Sequence, residues 1–205
     1  AGFSVINRGF GGSQIADSVH FAGRIVHPYK PRQIVLYAGD NDVAAGKSPE
    51  TVLADFQKFV KTVRAKLPKA RISFIAIKPS LSRWKLSGKM AKANALVHGT
   101  CDKDERLDYI DIWQPMLGDD GKPRPDLFLG DGLHLNAKRY ALWTSHGNPP
   151  LAKQRSGVLS QHPGRLGQSS QPWPSWVVRL ILTPVPSQSS PSPDSSTPLH
   201  TACSP

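Results

Sequence analysis

The sequence predicts one α/β domain built on a mostly parallel sheet, followed by a segment without a core of its own. Three observations lead there. Short continuous apolar runs alternate with stretches of helical period, which is the pattern of βαβ units. At 205 residues the chain is long enough for one such domain and too short for two of ordinary size. From Ser145 onward the alternation stops, and Pro, Ser and Gln dominate with Asp194 as the only acid.

Each element follows from its own residues. Val5 to Asn7 read as a strand end, and Ile15, Val19, Ala22 and Val26 recur at helical spacing until Pro28 closes the segment. Gln33 to Ala38 is a buried strand. In the next helix Ser48 takes the cap and Pro49 the first turn, and Val52, Leu53, Phe56, Phe59, Val60, Val63 and Leu67 form one stripe before Pro68. Arg71 to Ile77 is another strand, about Arg83 to Val97 another helix, Tyr109 to Trp113 a further strand and Ala137 to Trp143 the start of a last helix. The domain therefore spans residues 1–144. Residues 145–205 form a Pro/Ser-rich low-complexity tail that cannot bury enough apolar surface to offset the entropy of ordering it. It is expected to be disordered or loosely extended, with only Trp173 to Leu182 able to dock transiently.

Composition excludes several classes. The net charge of +11 comes from basic residues interleaved with acids, not from a cationic block, which argues against nucleic acid as a partner. Cys101 and Cys203 are the only cysteines, so neither a disulfide framework nor a two-pair zinc site can be built within one chain. No run approaches the roughly 20 apolar residues that cross a bilayer, and Trp176 to Leu182 is short and carries Arg179. A soluble chain is expected. The N-terminus has neither a Met nor a basic-then-apolar leader, so localisation stays open, a periplasmic or secreted location requiring a signal upstream. The oligomeric state is likewise open.

In an open parallel α/β sheet the ligand site lies beyond the carboxyl ends of the strands, and three blocks fall there. Asn7-Arg8-Gly9-Phe10-Gly11-Gly12-Ser13 exposes amide donors before a helix; alone it reads equally as a tight βα turn. Tyr37-Ala38-Gly39-Asp40-Asn41-Asp42 brings an amide donor and two carboxylates to the same edge, where Asn and Asp also cap helices. Asp131-Gly132-Leu133-His134 sets a carboxylate three residues before an imidazole, able to bond one ring nitrogen and leave the other as a base, though such a pair is often structural.

The three blocks, in this order, resemble those of the SGNH/GDSL-type ester hydrolases, including the platelet-activating-factor acetylhydrolase-like members, across residues 3–143. The resemblance implies a three-layer α/β/α flavodoxin-like fold with a parallel sheet. It implies that His134 is the general base, that Asp131 holds its tautomer, and that the Gly12 amide and the Asn41 side chain are oxyanion donors. It also implies carboxylic esters as substrates, with short acyl or O-acetyl groups, borne by a small molecule or a glycan, and a Ser-His-Asp mechanism without metal or organic cofactor. The family's Gly-Asp-Ser block, which ends the first strand and supplies the nucleophile, stands nowhere in this sequence, and eleven residues precede Gly12. The first strand is thus expected to be missing and the chain inactive as it stands. The alternative is a non-catalytic or vestigial binding module on the same scaffold. After the third strand, Lys78, Arg83 and Trp84 are candidates to contact an anionic or sugar-like substrate; a solvated loop is the bland reading.

Overall fold

A computed structural model describes residues 4–136 and 177–182. The expected last helix from Ala137 and most of the expected tail lie outside these residues. In chain order the elements are β1 (Ser4–Asn7), α1 (Ile15–His20), α2 (Ala22–Ile25), β2 (Gln33–Tyr37), α3 (Asp40–Ala44), α4 (Pro49–Arg64), β3 (Arg71–Ile75), α5 (Ser87–Cys101), β4 (Leu107–Ile110) and β5 (Val177–Leu182).

The five strands form one sheet in the order β1-β5-β2-β3-β4. β2, β3 and β4 pair in parallel, with Ile34 beside Ile72 and Phe74 beside Tyr109. β5 runs antiparallel to both β1 and β2, so those two strands point the same way with a single reversed strand between them. The sequence expected Trp173 to Leu182 to dock only transiently, and here the fold differs. Val177–Leu182 fills the space between β1 and β2, pairing Leu180 with both Ile6 and Ile34. The physical reason is local. VVRLIL is an apolar, largely β-branched run, and the facing edges of β1 and β2 each need hydrogen-bond partners.

β2 and β3 are buried on both faces, as the centre of a parallel sheet requires. Ile34, Leu36, Ile72 and Phe74 meet the stripe of α4 on one face, where Val52, Phe56, Phe59 and Val63 are fully buried. Burying each such side chain contributes about 1.5–3 kcal/mol. α4 begins where expected: Ser48 Oγ accepts from the Thr51 N–H at 3.1 Å, and Pro49 occupies the first turn. On the other face Val35, Tyr37, Ile75 and Ile110 pack against Met116, Leu127, Phe128 and Leu135 of the 112–135 segment, a run of turns.

Three boundaries differ from the sequence reading. The helix expected over Ile15 to Val26 breaks at Phe21 into α1 and α2. The strand expected at Tyr109 to Trp113 sits earlier, because Leu107 pairs with Ile72, leaving Ile112 as core beyond the strand end. Arg83 to Leu86 is a tight turn and α5 starts only at Ser87.

Candidate active site

The site is assembled from four loops at the carboxyl edge of the sheet. The first joins β1 to α1 and contains Gly12, exposed in a turn with φ of +71°. The second follows β2 and opens α3. Here Asp42 is fully buried, accepts from the Ile15 N–H at 3.2 and 3.3 Å, and pairs with Lys47 at 2.9 Å. Asp42 is therefore a strut between the first two blocks, capping α1 and not its own helix. Burial raises its carboxyl, which Lys47 only partly offsets.

Asn41 ties these loops together, since its Nδ2 donates to the Ser13 carbonyl at 3.1 Å. Its Oδ1 in turn accepts from Arg83 Nη2 at 3.1 Å. Arg83 belongs to the third loop, after β3, and that loop also reaches the fourth: the Ser82 N–H donates to the Gly132 carbonyl at 3.1 Å. Gly132 is required at this contact. It has a φ of +63°, and a Cβ on it would lie 3.1 Å from Leu81 Cβ and 3.3 Å from the Ser82 nitrogen.

Within the fourth loop, Asp131 organises the imidazole. Its Oδ2 lies 2.5 Å from His134 Nδ1, and its Oδ1 accepts from the Leu133 and His134 N–H groups, each at 2.9 Å. The His134 hydrogen bond, supported by these two amides, holds the Asp131 carboxyl well below its usual range. A carboxylate on Nδ1 selects the tautomer in which Nε2 is the basic nitrogen. The loop is closed by the Leu129 N–H donating to the His134 carbonyl at 2.7 Å.

A continuous chain of hydrogen bonds thus links the Gly12–Ser13 turn, Asn41, the Ser82–Arg83 loop and the Asp131–His134 turn. Trp84 is half-buried and stacks on Trp113, with ring centroids 6.3 Å apart. Two hollows, of 410 and 660 Å³, lie elsewhere, the larger lined by Lys30, Arg32 and Arg71 at the amino ends of the strands. Among the described residues the site is an open shelf, with Gly12 and Asp131 exposed and His134 half-buried.

One residue was misread in the sequence. Lys78 does not reach outward to a substrate: it is 1% exposed, and its Nζ donates to Tyr37 Oη at 3.0 Å and Asp40 Oδ2 at 2.8 Å. Burial alone would lower the ammonium's pKa, and the Tyr37 and Asp40 oxygens more than offset this, so Lys78 stays charged. Asp40, whose carboxyl burial alone would raise, is held low by Lys78 and Arg83. A signal was present in the sequence: Asp40 stands three residues after the apolar run of residues 34–37, where a carboxylate buried beside the strand end needs a counter-ion. Among the described residues no helix is long and apolar enough to cross a membrane, and no group of three or more His, Cys, Asp or Glu is placed to hold a metal ion.

Comparison with solved structures finds the same fold. A candidate platelet activating factor from Streptococcus pneumonia superposes with a TM-score of 0.62 at 19% identity, covering 68% of this chain and 69% of its own. A candidate acylhydrolase from Bacteroides fragilis gives 0.57 at 18%, covering 68% and 70%. A variant acetyl esterase solved with an acetate ion gives 0.56 at 20%, covering 66% and 64%. No curated protein matches the sequence. The profile of the GDSL-like lipase/acylhydrolase family matches residues 1–142, the stretch that carries all three blocks, and the chain belongs to that family.

Proposed function

We propose that this shelf is the acid-base and oxyanion half of a carboxylic-ester hydrolase site. His134 is its general base, Asp131 orients that base, and the Gly12 amide and Asn41 Nδ2 are the donors for the developing oxyanion. The observation that carries the reading is the Asp131–His134 turn, in which one carboxylate bonds the ring at 2.5 Å and two backbone amides besides. In the full reaction a hydroxyl nucleophile gives its proton to His134 as its oxygen bonds the acyl carbon. The carbonyl oxygen becomes the anion that the donors receive, and its collapse breaks the ester bond as the imidazolium protonates the leaving alkoxide. Water, deprotonated in turn by His134, then attacks the acyl carbon, releasing the carboxylic acid and returning the proton to the nucleophile. Each oxyanion donor is worth about a hundred-fold or more in rate. Trp84, backed by Trp113, walls the acyl or alcohol portion of a short acyl or O-acetyl ester.

The nucleophile is the part these 205 residues do not supply, since no Gly-Asp-Ser occurs among them. Ser13 is not its replacement. Its Oγ donates to the Phe10 carbonyl at 2.9 Å, closing its own turn. The chain as it stands therefore binds a carboxylate product without turning over ester, which also accommodates a second reading as a non-catalytic binding module. The test pairs p-nitrophenyl acetate hydrolysis with an acetate titration followed by NMR. Expected are no turnover above buffer and acetate-dependent shifts at the Gly12 amide, the Asn41 side chain and His134. Turnover abolished by His134→Ala, with a serine probe on Ser13, would overturn the assignment of the missing nucleophile. An acetate titration that moves none of the three residues would overturn the site.

A further inference from the structure

Beneath the Asn41 amide lies a buried charge network that this chemistry does not use. Asp40, 7% exposed, offers Oδ2 to Lys78 Nζ at 2.8 Å, and Arg83 Nη1 stands 3.5 Å from the same oxygen. Its Oδ1 accepts the Asn41 N–H at 2.9 Å. The other arm of the Arg83 fork donates to Asn41 Oδ1 at 3.1 Å, while Asn41 Nδ2 donates to the Ser13 carbonyl at 3.1 Å.

A primary amide has two nearly isosteric orientations that exchange its oxygen and nitrogen. An oxyanion donor needs one of them. Guanidinium nitrogens only donate and a carbonyl oxygen only accepts, so Arg83 Nη2 can bond only Oδ1 and the Ser13 carbonyl only Nδ2. The flipped amide would set its oxygen against the Ser13 carbonyl and its NH₂ against the guanidinium, a clash at both ends. Arg83 is itself held in place, because Asp40 is fixed from beneath by Lys78, which is in turn bonded to Tyr37. Two cations and one carboxylate leave one surplus positive charge behind the amide.

We propose that Arg83 is a positioning residue: anchored by Asp40 and Lys78, it fixes the Asn41 amide with Nδ2 turned toward the Gly12–Ser13 loop, and the network's surplus charge biases that shelf toward anions. This rests on the reading of Asn41 as an oxyanion donor, and it gives Arg83 a role other than substrate contact. Its test is NMR on the full chain, comparing wild type with Arg83→Met and Arg83→Lys. In acetate-free Arg83→Met the two Asn41 side-chain amide protons are expected to shift and to exchange faster with solvent, while core methyl signals stay in place. Acetate should bind about ten-fold more weakly, as for loss of one charge-assisted hydrogen bond, and Arg83→Lys, which keeps the charge but not the planar fork, should recover part of the affinity while its Asn41 amide protons stay shifted from wild type. Unchanged Asn41 side-chain signals in Arg83→Met, or equal acetate affinity in wild type and Arg83→Met, would overturn the inference. If wild type itself fails to bind acetate, the donor reading falls, and the acetate-free amide signals still decide whether Arg83 orients Asn41. Should Arg83→Met not fold, Arg83→Lys carries the same comparison, because a lysine keeps the charge and loses the planar fork; amide signals identical to wild type would then count against the proposal.

Discussion

Replacing Asn94 by Ala is expected to be among the most damaging polar substitutions in the domain. At Ala76 the parallel ladder with β4 runs out, its N–H donating to the Ile110 carbonyl at 2.9 Å. One residue on, Ile77 is fully buried and has no strand partner. Asn94 of α5 replaces the strand: its Oδ1 accepts the Ile77 N–H at 2.8 Å and its Nδ2 donates to the Ile77 carbonyl at 2.9 Å. Alanine leaves both main-chain groups unpaired where water does not reach, at about 1–3 kcal/mol each. Against this stands a gain of roughly half a kcal/mol from alanine's better helix propensity. The net loss is about 1.5–5.5 kcal/mol, or roughly 3–20 °C in Tm for a chain of this size. Urea unfolding followed by tryptophan fluorescence would measure it. Asn94→Asp sharpens the test, because it keeps the acceptor and loses the donor at neutral pH but regains an O–H donor when protonated. Its deficit relative to wild type at the same pH should therefore shrink as pH falls. A loss below about 0.5 kcal/mol for Asn94→Ala, or a deficit for Asn94→Asp that grows on acidification, would refute the argument.

Lys78→Met leaves the Asp40 charge buried and short of its main partner, and should cost about 3–5 kcal/mol by chemical denaturation; adding Asp40→Asn should recover most of it. Gly39→Ala should cost roughly 2–4 kcal/mol, since Gly39 has a φ of +114° and a Cβ there would meet Ile77 Cδ1 at 2.7 Å; a near-neutral Tm would show that Ile77 yields freely. Asp104 accepts from both arms of Arg64 and from the Arg106 N–H, and the Arg64 hydrogen bond pulls its carboxyl down to about 2. A depressed carboxylate stabilises the fold above its ordinary pKa and loses that contribution as pH falls through the folded value. The partly exposed pair should be worth about 1 kcal/mol. The stability gap between wild type and Asp104→Asn should thus be largest at neutral pH and close between about pH 4 and 2. A pH-independent gap would contradict the assignment.

Much of this architecture was legible because its signals are local. The α4 stripe, its Ser48 cap and the apolar runs of β2 and β3 need no tertiary knowledge. The Asp131 and His134 pairing was legible for the same reason, since three residues of turn bring a carboxylate back onto a ring and two amides. The rest depends on partners distant in sequence. Lys78 looked like an outward-facing loop residue because nothing local shows that Asp40 lies beneath it. The β4 register was displaced because Tyr109 to Trp113 is the more apolar stretch, whereas pairing with Ile72 begins at Leu107. The contact of Ser82 with Gly132, which joins the third loop to the imidazole, spans 50 residues and leaves no periodic trace.

The reversed central strand also sets an order of assembly. β2, α3, α4, β3, α5 and β4 follow one another in the chain and can dock from contacts near in sequence, which form early. Among the described residues β1 pairs only with β5, and Asn7 meets Arg179, so this pairing must wait until Val177–Leu182 has been made. At the usual pace of synthesis, about 5–20 residues per second, β2 waits on the order of ten to thirty seconds for its neighbour. Throughout that interval the apolar edge Ile34-Val35-Leu36 stands open, and such an edge is a template for pairing with another chain. The arrival of β5 therefore closes the edge that would otherwise favour association during synthesis, and substitutions in Val177–Leu182 should be felt in the yield of folded chain before they are felt at the shelf.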